Sequence, residues 1–238
     1  MLPLFGMGDG LSKINMLLAH FMTALFATIA FLTPGVHGTT AQIVDAAWTE
    51  VMTVAEIKFS RVWAMPNSAT FTIKPIKEMV ERNIAGKEVI LDPFARECKY
   101  GTITNDLNPD FKTDYHLDAL DFLKMFPDNY ADCVIYDPPY SLRQVSECYK
   151  GVGREVTMET TQSSWRARHL DEIARILKPN GVALCFGWNS NGVGKTRGFE
   201  MQEVLIVPHG GSKNDTICTV ERKVDIERKE NDNGKETQ

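Results

Sequence analysis

A carboxylate, two prolines and an aromatic ring stand in a row at Asp137-Pro138-Pro139-Tyr140. Asp137 can accept hydrogen bonds. So can the carbonyl of Pro138, which the following proline holds in an extended conformation. Tyr140 offers a flat face for stacking. Two acceptors beside a stacking ring suit a planar group that carries an NH2, such as the exocyclic amine of a nucleobase. That amine is a poor nucleophile because its lone pair is delocalised into the ring. Accepting both N–H hydrogens draws the nitrogen toward tetrahedral geometry and frees the lone pair to attack an electrophilic carbon. The help lies in positioning and electrostatics, and no metal is required. The bare tetrapeptide also suits a plain strand-to-loop turn, since Asp and Pro are turn formers.

The surrounding elements weigh against the plain turn. The apolar run Ala131 to Tyr136 reads as a buried strand, which two prolines must end. The corner therefore sits past the carboxyl end of a strand, where ligands bind in open α/β sheets. The pattern recurs upstream. Lys87 to Leu91 reads as a strand ending in Asp92-Pro93-Phe94. Thr102 to Asn105 leads to Asp106, and Asp114 to Leu117 leads to Asp118. Leu120 to Phe126 reads as a short amphipathic helix. Asp92, Asp106, Asp118 and Asp137 would line one rim of a parallel sheet. An acid at the second strand end is placed to grip a ribose hydroxyl pair. A rim this acidic favours a cation such as a sulfonium, while one of the four is expected to be only a helix N-cap.

These motifs resemble the S-adenosylmethionine-dependent amino-methyltransferases of DNA, specifically the adenine-N6 type. Asp92-Pro93-Phe94 matches the segment that begins that family's cofactor site. Asp106 matches the acid that holds the ribose, and Asp118 is the candidate for the acid that meets the cofactor's adenine. Asp137 to Tyr140 match the catalytic motif in full, so Asp137, Pro138, Pro139 and Tyr140 are the expected catalytic residues. Phe71-Thr72-Ile73-Lys74-Pro75-Ile76 is similar to the stretch that closes the cofactor pocket, with Phe71 and Lys74 as candidate contacts. The resemblance covers about residues 70 to 223. It implies an α/β, Rossmann-like methyltransferase sheet, mostly parallel with an antiparallel terminal strand pair. It implies a compact domain without a separate target-recognition domain, S-adenosylmethionine as cofactor, DNA as partner and a cytoplasmic location. Methylation of N4-cytosine in DNA or of N2-guanine in RNA stays open, as does a degenerate nucleic-acid-binding protein.

Later segments extend the pattern. Residues 77 to 83 form an expected helix before the first strand. His169 to Leu177 has helical spacing, and Lys178-Pro179-Asn180-Gly181 is expected to stop it. Val182 to Phe186 is the next strand, and Glu203 to Val207 with Thr216 to Val220 would form the antiparallel pair. The turn after Phe94, Ala95 to Gly101, departs from the family in having a single glycine. The first two strands are too close for a crossover helix, so an irregular connection is expected there. Ser141 to Glu147, running on to Gly153, reads as a flexible polar loop able to close over a flipped base. Arg143, Lys150, Arg154, Arg166, Arg168, Lys195 and Arg197 interleave with Trp165 and Trp188, a mixture suited to phosphate contact and base stacking. A solvated face and two core tryptophans would look the same. Gly192-Val193-Gly194-Lys195 lacks P-loop spacing and reads at most as a loop against a nucleic-acid backbone. His209-Gly210-Gly211 reads as a turn.

Of the 238 residues, 43% are hydrophobic and 24% charged, as in an ordinary globular domain. A net charge of −5 argues against a general nucleic-acid coat. Cys98, Cys133, Cys148, Cys185 and Cys218 are odd in number and contain no Cys-x-x-Cys, which points to a reducing compartment and no zinc site. Residues 14–32 are apolar and long enough to span a bilayer. They conflict with a cytoplasmic cofactor and read as an anchor, a packed helix or a leader upstream of a start at Met65. The expected organisation is a leader or anchor over 1–64, a methyltransferase domain over 65–224 and a disordered charged tail over 225–238.

Overall fold

Every second residue of the run Ala131–Tyr136 points to the same side, and that alternation builds the centre of the molecule. In the computed structural model, which describes residues 56–67, 69–162, 164–211 and 213–224, this run is a strand. Val134 and Tyr136 face one apolar layer, while Cys133 and Ile135 face the other. A strand buried on both faces reads as continuously apolar, as this one does.

The strands are β1 (Lys58–Arg61), β2 (Ile90–Asp92), β3 (Ile103–Thr104), β4 (Ala131–Tyr136), β5 (Leu177–Gly187), β6 (Phe199–Val207) and β7 (Thr216–Lys223). They form one seven-stranded sheet in the order β1-β6-β7-β5-β4-β2-β3. Only β7 runs against the others, inserted between β5 and β6. The sheet is thus the α/β, mostly parallel one expected, with β6 and β7 as its antiparallel pair. The sheet also reaches upstream of the boundary drawn at residue 65, because β1 pairs parallel with β6 from Lys58↔Glu203 to Arg61↔Ile206. Its residues are mostly exposed and, Phe59 apart, polar, so they carry no apolar strand signal.

Among the described residues four α-helices flank the sheet, α1 (Lys74–Ile84), α2 (Ala119–Lys124), α3 (Leu142–Gly151) and α4 (Ser164–Ile176), with 3-10 turns at Thr70–Thr72 and Lys195–Arg197. α1 buries Ile76, Met79 and Val80, the i, i+3, i+4 stripe of an amphipathic helix, against Ile90, Ile135, Leu184 and Leu205. α2 and α4 cover the opposite face through Phe122, Leu123, Leu170, Ile173 and Ile176. Glu203, buried on β6, accepts a forked pair of bonds from Arg82 of α1 at 2.7 and 2.8 Å and pairs with Lys58 of β1 at 3.0 Å.

Two elements differ from expectation. α3 occupies Leu142–Gly151, where a flexible loop is expected. Ser141 caps it by accepting from the Gln144 backbone N–H at 3.3 Å, and Val145 and Tyr149 form its buried stripe. The polar residues between them hide an amphipathic helix. The Lys178–Gly181 turn does not separate helix from strand. α4 ends at Ile176, and the turn is a bulge within β5, with Ala131 opposite Leu177 but Cys133 opposite Val182.

As expected, no helix joins β2 to β3. Asn105 instead ties the strand ends together. Its side chain donates to the carbonyls of Pro93 and Leu117, each at 3.1 Å, and accepts from Leu117 N–H at 2.9 Å. The segment Asp114 to Leu117 contributes only one bridge to the sheet, Asn105↔Tyr115. Among the described residues no helix is long and apolar enough to cross a membrane. The 14–32 segment and the 225–238 tail lie outside the described residues.

Candidate active site

From β2 the chain steps outward to β3, then returns past β2 to β4. The carboxyl ends of β2 and β4 therefore flank a crevice at the point where the connections diverge. A cavity of about 870 Å3 opens there. Pro93, Phe94, Asp106, Asp118 and all of Asp137 to Tyr140 line it. These eight residues, scattered along the sequence, thus meet at one end of the sheet. Phe71, Lys74 and Asp92 fall outside the lining. Phe71 packs edge-on against Tyr100 and Phe186 in the core beside α1. Lys74 lies on the exposed side of α1, paired with Glu78 at 3.9 Å. Of that stretch Ile73 lines the cavity, together with Thr70 just before it.

Asp92 sits directly behind the wall. It is fully buried, its Oδ1 accepts from Phe94 N–H at 3.1 Å, and its Oδ2 has no partner among the described residues. Burial pushes its carboxyl well above the usual range, and the charges of Asp137 and Asp106 push the same way. A methyl group at Gly101 would stand 2.9 Å from the Asp92 Cβ. The one glycine of this turn is therefore placed where a side chain would collide with Asp92. Arg96, at a position in the same turn, adopts a left-handed φ of 50° and lies over the Phe111 ring.

Asp106 is buried at the cavity wall. Its Oδ2 accepts from Arg96 N–H at 3.1 Å and its Oδ1 from Asn108 N–H at 2.9 Å. Burial raises its pKa against the pull of those two bonds. Asp118 is the acid that also serves as a cap. Its Oδ1 accepts from Leu120 N–H at 2.9 Å at the start of α2, and its Oδ2 accepts from the Tyr149 hydroxyl.

At the Asp137–Tyr140 corner, the Tyr140 hydroxyl donates to Asp137 Oδ1 at 2.5 Å. Burial raises the Asp137 pKa, while bonds from Tyr140 and Thr70 hold it down in part. The carbonyl of Pro138 accepts no hydrogen bond from any described residue. The Tyr140 ring meets the half-exposed Trp188 edge-on at 5.8 Å. The Tyr140 backbone N–H donates to Gln144 Oε1 at 2.7 Å, which fastens the corner to the first turn of α3.

Other residues of the wall carry no motif of their own. Tyr149 and Gln144 come from α3, which only an amphipathic reading of residues 142–151 would have revealed. His209 is a buried residue of the cavity wall and more than a turn residue. Its ring nitrogens meet the Ala64 carbonyl at 2.9 Å and the Thr216 hydroxyl at 2.8 Å. Trp165 is core, packed 4.3 Å from His169, and also lines the cavity. His169 is buried and desolvation lowers its pKa to about 4, so it is neutral at ordinary pH.

The basic stretch is largely committed elsewhere. Arg143 pairs with Glu147, Arg168 with Glu159 and Arg197 with Asp171, and Arg166 lies over the Tyr136 ring. Lys150, Arg154 and Lys195 make no ion pair among the described residues. The Gly192–Lys195 loop is turned inward. Its Val193 and Gly194 N–H groups donate to the buried Glu221 carboxylate, so they are taken before any phosphate arrives.

Neither a protein-family model nor a curated protein matches the chain. Solved structures resemble it at a distance. A 1,6-didemethyltoxoflavin-N1-methyltransferase of Burkholderia thailandensis, with bound S-adenosylhomocysteine, is 11% identical. It covers 81% of this chain and 92% of its own, with a TM-score of 0.46. A SAM-dependent methyltransferase of Archaeoglobus fulgidus is 14% identical, over 63% and 94%, with a TM-score of 0.42. The N-methyltransferase NodS of Bradyrhizobium japonicum is 10% identical, over 64% and 96%, with a TM-score of 0.37. Likeness at that level assigns no activity, which must come from the chain's own residues.

Proposed function

We propose that the chain is a methyltransferase that moves a methyl group from S-adenosylmethionine to the exocyclic N6 amine of adenine in DNA. One observation carries the reading: the Asp137 carboxylate and the unpartnered Pro138 carbonyl stand together in the wall of a cavity that Asp106 and Asp118 also line. Acceptors for an amine and acids for a cationic nucleoside share one space.

The residues fit that cofactor. A cavity of about 870 Å3 lies within the range of cofactor sites. Asp92, Asp106 and Asp137 all have raised pKa values, with burial the largest cause of each. That crowding of acids in a desolvated place is relieved by a positive charge. Bound there, S-adenosylmethionine would supply an electrophilic methyl carbon. Asp106 and Asp118 would hold its nucleoside, Phe94 would give an apolar wall, and the sulfonium's positive charge would favour ionisation of Asp92 behind that wall.

Asp137 and the Pro138 carbonyl hold the amine by its two N–H hydrogens and keep its lone pair aimed into the cavity. The raised pKa of Asp137 makes its carboxylate a stronger acceptor for the proton the amine must lose. Tyr140 fixes that carboxylate through its hydroxyl and, with Trp188, gives the acceptor end an aromatic wall. A duplex base must leave its stack to reach this corner.

Calorimetry separates an enzyme from a degenerate nucleic-acid binder built on the same sheet. We expect S-adenosylmethionine to bind at micromolar to submillimolar concentration. No heat at millimolar cofactor would favour the non-enzymatic reading.

A further inference from the structure

The acceptor pair recognises an amine, and every amino-bearing base has one. Something in the corner must read what lies beside it. Gln144 lines the cavity and is half-buried. Its side-chain amide is oriented without ambiguity. The Tyr140 backbone N–H can only donate, so the atom facing it at 2.7 Å is the carbonyl oxygen Oε1. The NH2 end is left over, and it makes no hydrogen bond to any described residue. The start of α3 is rigid for this purpose, since Ser141 caps it and Gln144 holds the corner in turn. A pinned amide thus presents unused donors within the same few residues as the Asp137 carboxylate, held by Tyr140, and the Pro138 carbonyl.

We infer that Gln144 is the base-reading residue of the corner, its NH2 donating to the ring nitrogen that neighbours the target amine. This rests on the reading of the site as an adenine-N6 methyltransferase and sharpens it. The Watson–Crick edge of adenine offers an amine donor next to N1, an acceptor. Asp137, the Pro138 carbonyl and Gln144 are the complementary set. On the Watson–Crick edge of guanine the neighbour of the amine is N1–H, a donor, which would face the Gln144 donor unpaired. A site that leaves a polar group unpaired rejects the wrong ligand strongly. The same donor would pair with N3 of cytosine, so size and stacking must separate those two bases.

The test uses the full chain, S-adenosylmethionine and single-stranded oligonucleotides holding one adenine or one 1-deazaadenine, in which C–H replaces N1. Gln144→Glu keeps an oxygen for the Tyr140 N–H and removes the donor. Wild type is expected to prefer adenine over 1-deazaadenine by about 10- to 100-fold in kcat/KM, the effect of one good base contact. Gln144→Glu should fall on adenine by a similar factor and lose most of that preference. A 7-deazaadenine substrate should behave like adenine in both proteins. Wild type that methylates 1-deazaadenine as fast as adenine overturns the assignment. So does a Gln144→Glu protein that keeps the full preference while cofactor binding and melting match wild type. A wild type that methylates no adenine in any oligonucleotide overturns the adenine reading itself, a result distinct from both.

Discussion

Asp137→Ala should lower methyl transfer by at least 100- to 1,000-fold while cofactor affinity changes by only a few-fold. The factor is that of removing one preorganised polar group aimed at the reacting centre. In the proposed function the carboxylate is one of two acceptors for the amine, and the other, the Pro138 carbonyl, is backbone and survives the change. Asp137→Asn keeps one acceptor oxygen and should retain more activity than Ala. Folding should not suffer. The pKa of Asp137 is raised mainly by burial, so the ionised group is held at a cost. The sign follows from linkage: its contribution to stability is fully present below its unfolded pKa and is lost as pH rises through its higher folded value. At neutral pH the loss of a buried charge should offset the cost of leaving the Tyr140 hydroxyl without its acceptor, so the Ala variant should melt within a few degrees of wild type. The same raised pKa fixes the acid limb of activity. An amine needs the ionised carboxylate, so kcat/KM should fall at a pH above the usual carboxylate value of about 4. That loss cannot come from Asp137 unfolding the protein, because its protonation stabilises the fold. Pre-steady-state methylation, calorimetry and melting at several pH values check each part.

Asp106→Ala should show the opposite signature. Its two oxygens accept from the Arg96 and Asn108 N–H groups, which are the inner edges of the two loops bounding one end of the cavity. Hydrogen bonds to charged groups are worth roughly 1.5–3 kcal/mol, which corresponds to about 10- to 100-fold in binding. We expect the cofactor Kd to rise by that factor and the rate at saturating cofactor to fall much less. Asp106→Asn offers an NH2 to one of two N–H donors, so it should rescue only part of the loss. Together the two variants divide the cavity into a cofactor end and a reacting end. If Asp106→Ala lost rate at saturation and kept its affinity, that division would be wrong.

Much of this arrangement is legible in the sequence, for physical reasons. A strand buried on both faces must be apolar throughout and must stop at proline, so β4 and its corner announce themselves at Ala131 to Tyr140. The repeated pairing of strand and acid likewise announces Asp106 and Asp118. What stays hidden has a common cause. β1 is an edge strand with mostly exposed residues, so nothing marks it as part of the sheet. α3 owes its helix to a cap at Ser141 and two buried residues among polar ones. Asn105 orders three strand ends through contacts that only the fold brings together. Phe71 shows the reverse error. An aromatic residue upstream of β2 matches a pocket motif, yet here packing against Phe186 and Tyr100 takes it into the core.

The most direct measurement identifies the modified atom. DNA from cells producing the protein, and DNA incubated with purified protein and isotopically labelled S-adenosylmethionine, would be digested and its nucleosides resolved by mass spectrometry. The labelled methyl group should appear on N6 of deoxyadenosine, and Asp137→Ala should remove it. Label on cytosine N4, on guanine N2 of RNA or on protein, or full labelling by Asp137→Ala, would contradict the account.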